Sequence, residues 1–285
     1  MLNTNKKNEL ELIDQPILVL GGTGKTGRRV VERLKAREIP VRVGSRNGEQ
    51  PFDWEDKSTW VSVLEGVRAV YIAYYPDLAL PGASDDISMF AELALKNNVK
   101  RLVLLSGRGE DGAIQSEEAL KKSNVEWTIL RCSWFNQNFS ENFLVDQVND
   151  GTIALPVGKV TEPFIDVEDI ADVAVKVLTE DGHVGELYEL TGPRLMTFKE
   201  ATEEIAKVTG RDIGYVELNI EEFKAGLKEA KTPSPLVELL IELFTTVLDG
   251  RNSEVKNGVQ RALGRKPRDF REYVQETVVS GVWNK

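Results

Sequence analysis

The chain has 285 residues, enough to bury a large core as one composite α/β unit or as two lobes. Its 36 Lys and Arg against 46 Asp and Glu give a formal net charge of −10, which disfavours the broad basic face of a nucleic-acid binder. One cysteine, Cys132, and one histidine, His183, exclude an internal disulfide, a cysteine-based metal site and a histidine-rich zinc centre, so no metal is expected.

Residues 1–14, polar and without the apolar core of a secretion signal, read as a flexible leader, and a cytoplasmic protein is expected. No apolar run reaches bilayer-spanning length, so no membrane partner is expected either. The organising stretch follows at Pro16–Val31. Ile17, Leu18, Val19 and Leu20 read as a buried strand that runs into Gly21-Gly22-Thr23-Gly24-Lys25-Thr26-Gly27. Val30, Val31 and Leu34 then recur at helical spacing. Strand, glycine turn and helix form a seat for a dinucleotide pyrophosphate: Gly21 takes backbone angles closed to other residues, Gly24 lets the anion approach, and Gly27 lets the helix pack on its strand. A triphosphate loop ending at Gly24-Lys25-Thr26 would need glycine at position 19, which is valine.

Val41-Arg42-Val43-Gly44 reads as the second strand and ends at Ser45-Arg46. About 20 residues past the last glycine, an acid would bind the ribose 2′-hydroxyl of NAD, whereas a base suits a 2′-phosphate. Arg46 therefore favours NADP(H) over NAD(H), with Ser45 and Arg28 as neighbouring donors. Thr59–Leu64 reads as a short helix and Ala69–Ala73 as a third core strand ending in Tyr74-Tyr75-Pro76. Ligands lie beyond the carboxyl ends of such strands, so Tyr74 and Tyr75 either wall a substrate or pack under the following loop. Residues 84–97 read as an amphipathic helix, Leu102–Leu105 as a fourth strand running into Ser106-Gly107, and Gln115–Ser123 as a helix. Val125–Arg131 reads as a fifth strand, closed by Ser133-Trp134-Phe135, with residues 136–148 helical and 151–158 strand and turn. Phe164–Ala171 opens another helix with Asp166 as N-cap, and Glu186–Leu190 is a strand. His183, the one residue on which a Ser-His-Asp hydrolase could be built, falls in what reads as a surface turn. From Thr197 on, helices dominate apart from a strand near Gly214–Leu218; Pro235–Leu248 carries apolar surface that could cap the pocket or form a subunit contact, and the oligomeric state stays open.

These elements give an α/β Rossmann fold: a doubly wound, mostly parallel sheet with a smaller, mainly helical C-terminal lobe. The expected division is a leader (1–14), an NAD(P)-binding domain (15–192, with 151–168 partly in the substrate lobe) and a lid lobe (193–285).

Gly21–Gly27, Ser106-Gly107, Glu117-x-x-Leu120-x-x-Ser123, Trp127-Thr128-Ile129-Leu130-Arg131, Phe164–Ala171, Tyr188–Pro193 and Ala262–Pro267 together resemble the NmrA-like, atypical branch of the short-chain dehydrogenase/reductase superfamily. Phe52-Asp53-Trp54 with Trp60 is similar to the subgroup of ergot-alkaloid (festuclavine-type) dehydrogenases. The resemblance implies NADP(H) held by Gly21, Thr23, Gly24, Lys25, Thr26 and Gly27 with Ser45 and Arg46. It implies Asp53 near the adenine, Ala73, Tyr74 and Tyr75 near the nicotinamide ribose, and Ser106 and Ser133–Phe135 around the nicotinamide. Typical members of the superfamily carry Tyr-x-x-x-Lys, in which lysine lowers the tyrosine pKa for proton exchange. The residues four positions on from Tyr71, Tyr74, Tyr75, Tyr188, Tyr215 and Tyr273 are Tyr75, Leu78, Ala79, Gly192, Asn219 and Thr277, so the dyad is missing. Ala113 and Glu117 stand where it should lie, and Cys132, where relatives have proline, reads as a small buried apolar residue.

Two functions follow. The first is an NADP(H)-dependent oxidoreductase passing hydride to a small polarised substrate (iminium, enone or quinone), with a pocket walled by Tyr74, Tyr75, Trp134 and Phe135. Ser106 would hydrogen-bond the substrate there, and Glu117 would relay a proton if burial raises its pKa, or else is a helix-surface carboxylate. The second is a non-catalytic NADP(H) sensor acting through a protein partner, in keeping with the missing dyad and with regulators among the relatives.

Overall fold

The computed structural model describes residues 15–142 and 144–284; the leader at 1–14 lies outside them. Its centre is a six-stranded, all-parallel sheet in the order β2-β1-β3-β4-β5-β8. The strands are β1 (Ile17–Leu20), β2 (Val41–Gly44), β3 (Ala69–Ile72), β4 (Arg101–Gly107), β5 (Glu126–Cys132) and β8 (Glu186–Leu190). β1 and β3 are continuous apolar runs, buried throughout, because helices cover both faces of a parallel sheet. The strand order reverses between β1 and β3, opening a crevice at their carboxyl ends.

One face is packed by α1 (Lys25–Ala36) and α7 (Val167–Thr179). α1 buries Thr26, Gly27, Val30, Val31 and Leu34, an i, i+3, i+4 stripe. Asp166 caps α7, accepting from the Glu168 N–H at 2.9 Å. The two helices are laced together by Arg29–Glu168 and by Arg33–Asp172 at 2.7 Å. The other face is packed by α2 (Trp60–Leu64, after a 3₁₀ turn at Lys57–Thr59), α3 (Ala83–Lys96) and α4 (Asp111–Lys121), around an aromatic knot of Phe52, Trp54, Trp60 and Phe90.

A third core gathers the elements beyond the sheet: α5 (Asn138–Glu141), α6 (Leu144–Asn149), β6 (Thr152–Leu155), β7 (Thr161–Glu162), β9 (Met196–Thr197), α8 (Phe198–Thr209), β10 (Gly214–Glu217), α9 (Ile220–Glu229) and α10 (Ser234–Glu242). α11 (Gly258–Leu263) returns to the sheet, and α12 (Phe270–Ser280) closes the third core through Phe270, Tyr273 and Val274. Between them the tail is pinned to α7: the fully buried Asp169 accepts from Arg265 at 2.7 Å and from Arg268 at 2.6 Å.

Three expectations are corrected. Residues 136–148 form two short helices, α5 and α6, not one. β4 spans Arg101–Gly107, longer than the expected Leu102–Leu105, so Ser106 lies inside the strand, and α4 starts at Asp111, four residues early. The turn around His183 is at the surface, with Asp181, Gly182, Val184 and Gly185 exposed, but the His183 ring itself is folded in, 8% exposed with its Nδ1 2.7 Å from the Tyr188 hydroxyl.

Candidate functional site

The crevice at the strand ends is a cavity of about 900 Å³. Gly21, Thr23, Gly24, Lys25, Thr26, Ser45, Arg46, Asp53, Ala73, Tyr74, Tyr75, Ser106, Ser133, Trp134 and Phe135 all line it. Gly27 and Glu117 do not.

At the glycine turn the geometry follows from size. Gly21 has φ +68°, which favours glycine. A Cβ on Gly27 would lie 2.2 Å from the Gly21 carbonyl oxygen, so Gly27 serves by letting α1 approach the turn. Gly24 precedes α1 with no side-chain cap, which leaves first-turn N–H groups of the helix open to an anion. Lys25 reaches the same end, its Nζ donating to Asn138 Oδ1 at 2.6 Å, and burial pushes its ammonium down to about 8. An uncapped helix end, a glycine turn and a desolvated lysine fit a pyrophosphate well.

Arg46 is exposed at the end of β2, its guanidinium 5.4 Å from the centre of the Tyr75 ring. Arg28 is not its neighbour: it pairs with Glu141 at 2.8 Å, outside the cavity. Asp53 lines the cavity while its carbonyl accepts from Trp60 Nε1 at 2.8 Å, which ties that wall to the aromatic knot. Tyr75 is 62% exposed. Tyr74 both lines the cavity and packs on Trp54, its hydroxyl donating to Asp86 at 2.8 Å.

The opposite end is built by β4 and β5. Ser106 donates to Glu117 Oε1 at 2.6 Å, and Arg131 Nε donates to the same oxygen at 2.8 Å. Register explains the triad, since Ser106 on β4 pairs with Arg131 on β5 and α4 lays Glu117 beside both. Glu117 is fully buried, so it is not a surface carboxylate. It reaches the cavity only through Ser106. The Ser133 hydroxyl is turned to the Pro163 carbonyl at 2.6 Å, and Trp134 packs on Phe198 and Phe244. Cys132 is buried with its thiol pushed up by desolvation, as a small apolar residue behaves.

Sequence reasoning missed an acidic wall. Asp77, Glu110 and Glu162 all line the cavity. Burial, with Asp77 and Glu242 facing it, pushes the Glu110 carboxyl up to about 8. Burial likewise raises Glu162 to about 8 against the pull of Arg108, and raises Asp77. The position of Glu110, just past the end of β4, was the available signal. Opposite, Leu236, Leu239 and Leu240 of α10 with Leu243, Val247 and Leu248 form an apolar wall, so this segment caps the cavity.

A family model described as NAD(P)H-binding matches residues 21–181. The chain is 33% identical over 278 residues to prestalk A differentiation protein A of Dictyostelium discoideum, covering 92% of each chain. It is 32% identical over 288 residues to agroclavine dehydrogenase of Claviceps fusiformis, covering 94% of this chain and 98% of that one. Among solved structures, the NADPH-dependent quinone oxidoreductase of Escherichia coli in complex with NADPH superposes with a TM-score of 0.78. That match has 22% identity and covers 92% of this chain and 99% of the other, a likeness of fold.

Proposed function

This chain belongs to the NAD(P)H-binding, NmrA-like family of atypical short-chain dehydrogenase/reductases, and on that premise we propose that it is an oxidoreductase reducing a small polarised organic compound with NADPH. The observation that carries the reading is one continuous cavity that joins an anion-ready glycine turn to a wall of Tyr74, Trp134 and leucines. The bound cofactor supplies hydride. The protein does the rest: the Gly21–Gly24 turn and Lys25 seat the pyrophosphate, Arg46 and Ser45 meet the 2′-phosphate, and Asp53 lies toward the adenine. Ser106, its proton donated to Glu117, presents an oriented hydroxyl oxygen that can accept from the substrate, and the α10 leucines exclude water. The similarity to agroclavine dehydrogenase supports an oxidoreductase reaction, and the iminium, enone or quinone substrate is part of this proposal. A cytoplasmic location and a small-molecule partner, without nucleic acid or membrane, belong to the same proposal.

The test is NADPH oxidation across a panel of iminium, enone and quinone compounds. Turnover on at least one class is expected. Tight NADPH binding with no turnover on any class would move the reading to a cofactor sensor acting on a protein partner.

Lys25 provides a pH signature. Its pKa of about 8 lies below the ordinary lysine value of 10.5, and a bound phosphate would favour its charged form. NADPH affinity is therefore expected to hold below about pH 8 and to fall as pH rises past it, because Lys25 must then take up a proton on binding. Calorimetry in buffers of different ionisation enthalpy should register that uptake, and Lys25→Met should abolish it. Equal uptake in the variant would remove Lys25 from the phosphate site.

A further inference from the structure

Reduction of an enone or quinone needs a proton as well as a hydride, and the Tyr-x-x-x-Lys dyad that would deliver it is missing. Ser106 does not replace it, since its hydroxyl is committed to Glu117 and Glu117 is committed to Arg131. Glu110 stands differently. A Cβ on Gly107 would lie 2.1 Å from Glu110 Oε1, so this carboxyl rests on the backbone of the residue next to Ser106, inside the cavity. Among the described residues no hydrogen bond or ion pair engages it. The groups that face it are acids, Asp77 from the loop after β3 and Glu242 from α10. The nearby cations are turned elsewhere: the Arg108 guanidinium points to Glu189 at 3.6 Å and Glu254 at 3.9 Å, and Arg251 is held by Asp249 at 2.8 Å. A second acid repeats the pattern independently: Glu162, 2% exposed and lining the same cavity, has a buried Oε1 with no partner. Glu162 meets the Trp134 backbone N–H but, like Glu110, has no ion-pair partner among the described residues, and desolvated carboxyls without a counter-ion are stable as neutral acids, which are proton donors.

We propose that Glu110 is the proton donor of this site, delivering its carboxyl proton to the oxygen of an enone or quinone as hydride from NADPH reaches carbon. The inference rests on the oxidoreductase reading and adds a catalytic residue to it. A C–H bond forms at the carbon that takes the hydride, the C=O π pair moves to oxygen, and an O–H bond forms as the Glu110 O–H breaks. NADPH leaves as NADP⁺, and Glu110 is left as a carboxylate that solvent reprotonates. An iminium needs no such proton, because hydride alone converts it to a neutral amine.

Glu110→Gln is therefore expected to lower kcat on enones and quinones by about 100-fold or more while iminium reduction persists, which also shows that the variant is folded. In the parent, turnover of enones and quinones should fall as pH rises through about 8, and this limb should vanish in the variant. Infrared spectroscopy of the protein at neutral pH should show protonated carboxylic-acid absorption, of which Glu110→Gln removes one component and leaves that of Glu162. Unchanged enone and quinone turnover in the variant, or loss of the same activity in Glu162→Gln alone, would overturn the assignment of Glu110 and leave the oxidoreductase reading standing. A parent protein that oxidises NADPH with no substrate class overturns both.

Discussion

Glu117→Ala is expected to lower the unfolding free energy by about 3–5 kcal/mol, because it removes one partner of a buried ion pair and leaves the other without compensation. Glu117 is fully buried and accepts from Arg131 Nε at 2.8 Å and Ser106 at 2.6 Å, with Lys121 Nζ at 4.0 Å. The Arg131 side chain is only 21% exposed, so water can recover part of its charge and not all of it. In a chain of this size the change should appear as a fall in Tm of roughly 5–10 °C. Glu117→Gln keeps the volume and an acceptor for Ser106, so it should lose less. Denaturant unfolding of both variants decides the matter. Near-parental stability of Glu117→Ala would mean that the triad contributes nothing to the fold.

Arg46→Ala should weaken NADPH binding by about tenfold to a hundredfold and leave NADH binding unchanged. A guanidinium paired with a phosphate makes charge-assisted hydrogen bonds of about 1.5–3 kcal/mol, and about 1.4 kcal/mol is a tenfold change in affinity. Arg46 is exposed, so the effect should shrink as salt is raised. Its one ring contact, 5.4 Å from the Tyr75 centroid, already holds the side chain over the cavity, which lowers the ordering cost of binding. Calorimetric titration of the two proteins with both nucleotides measures the ratio. An equal loss for NADH and NADPH would show that Arg46 does not read the 2′-phosphate.

The central fold was legible because its signals are local. An apolar run, a glycine turn and a helical stripe occupy 18 consecutive positions from Ile17 to Leu34, and the structure places β1 and all but the last two residues of α1 within them. Glu186–Leu190 and the Asp166 cap were legible for the same reason. Errors arose where long-range packing sets the boundary. β4 extends to Gly107 because β5 offers partners through Cys132, a fact that no window around Ser106 contains.

The cavity shows the same division. Gly21–Thr26 and Arg46 are specified by short spacing, since a strand, a turn and a helix fix where their backbone points. Chemistry near Ser106 is not. Whether Glu117 is a surface acid or a buried ion pair depends on Arg131 from the next strand, 14 positions away. Glu110 becomes an acid cluster only when the loop after β3 and helix α10, 132 positions along the chain at Glu242, fold against it. The sequence by itself determined a Rossmann sheet with a dinucleotide turn, because secondary structure and glycine geometry are read over a few residues. Only the tertiary structure decided which carboxyls are paired and which stand alone, because burial and Coulomb partners come from segments distant in the chain.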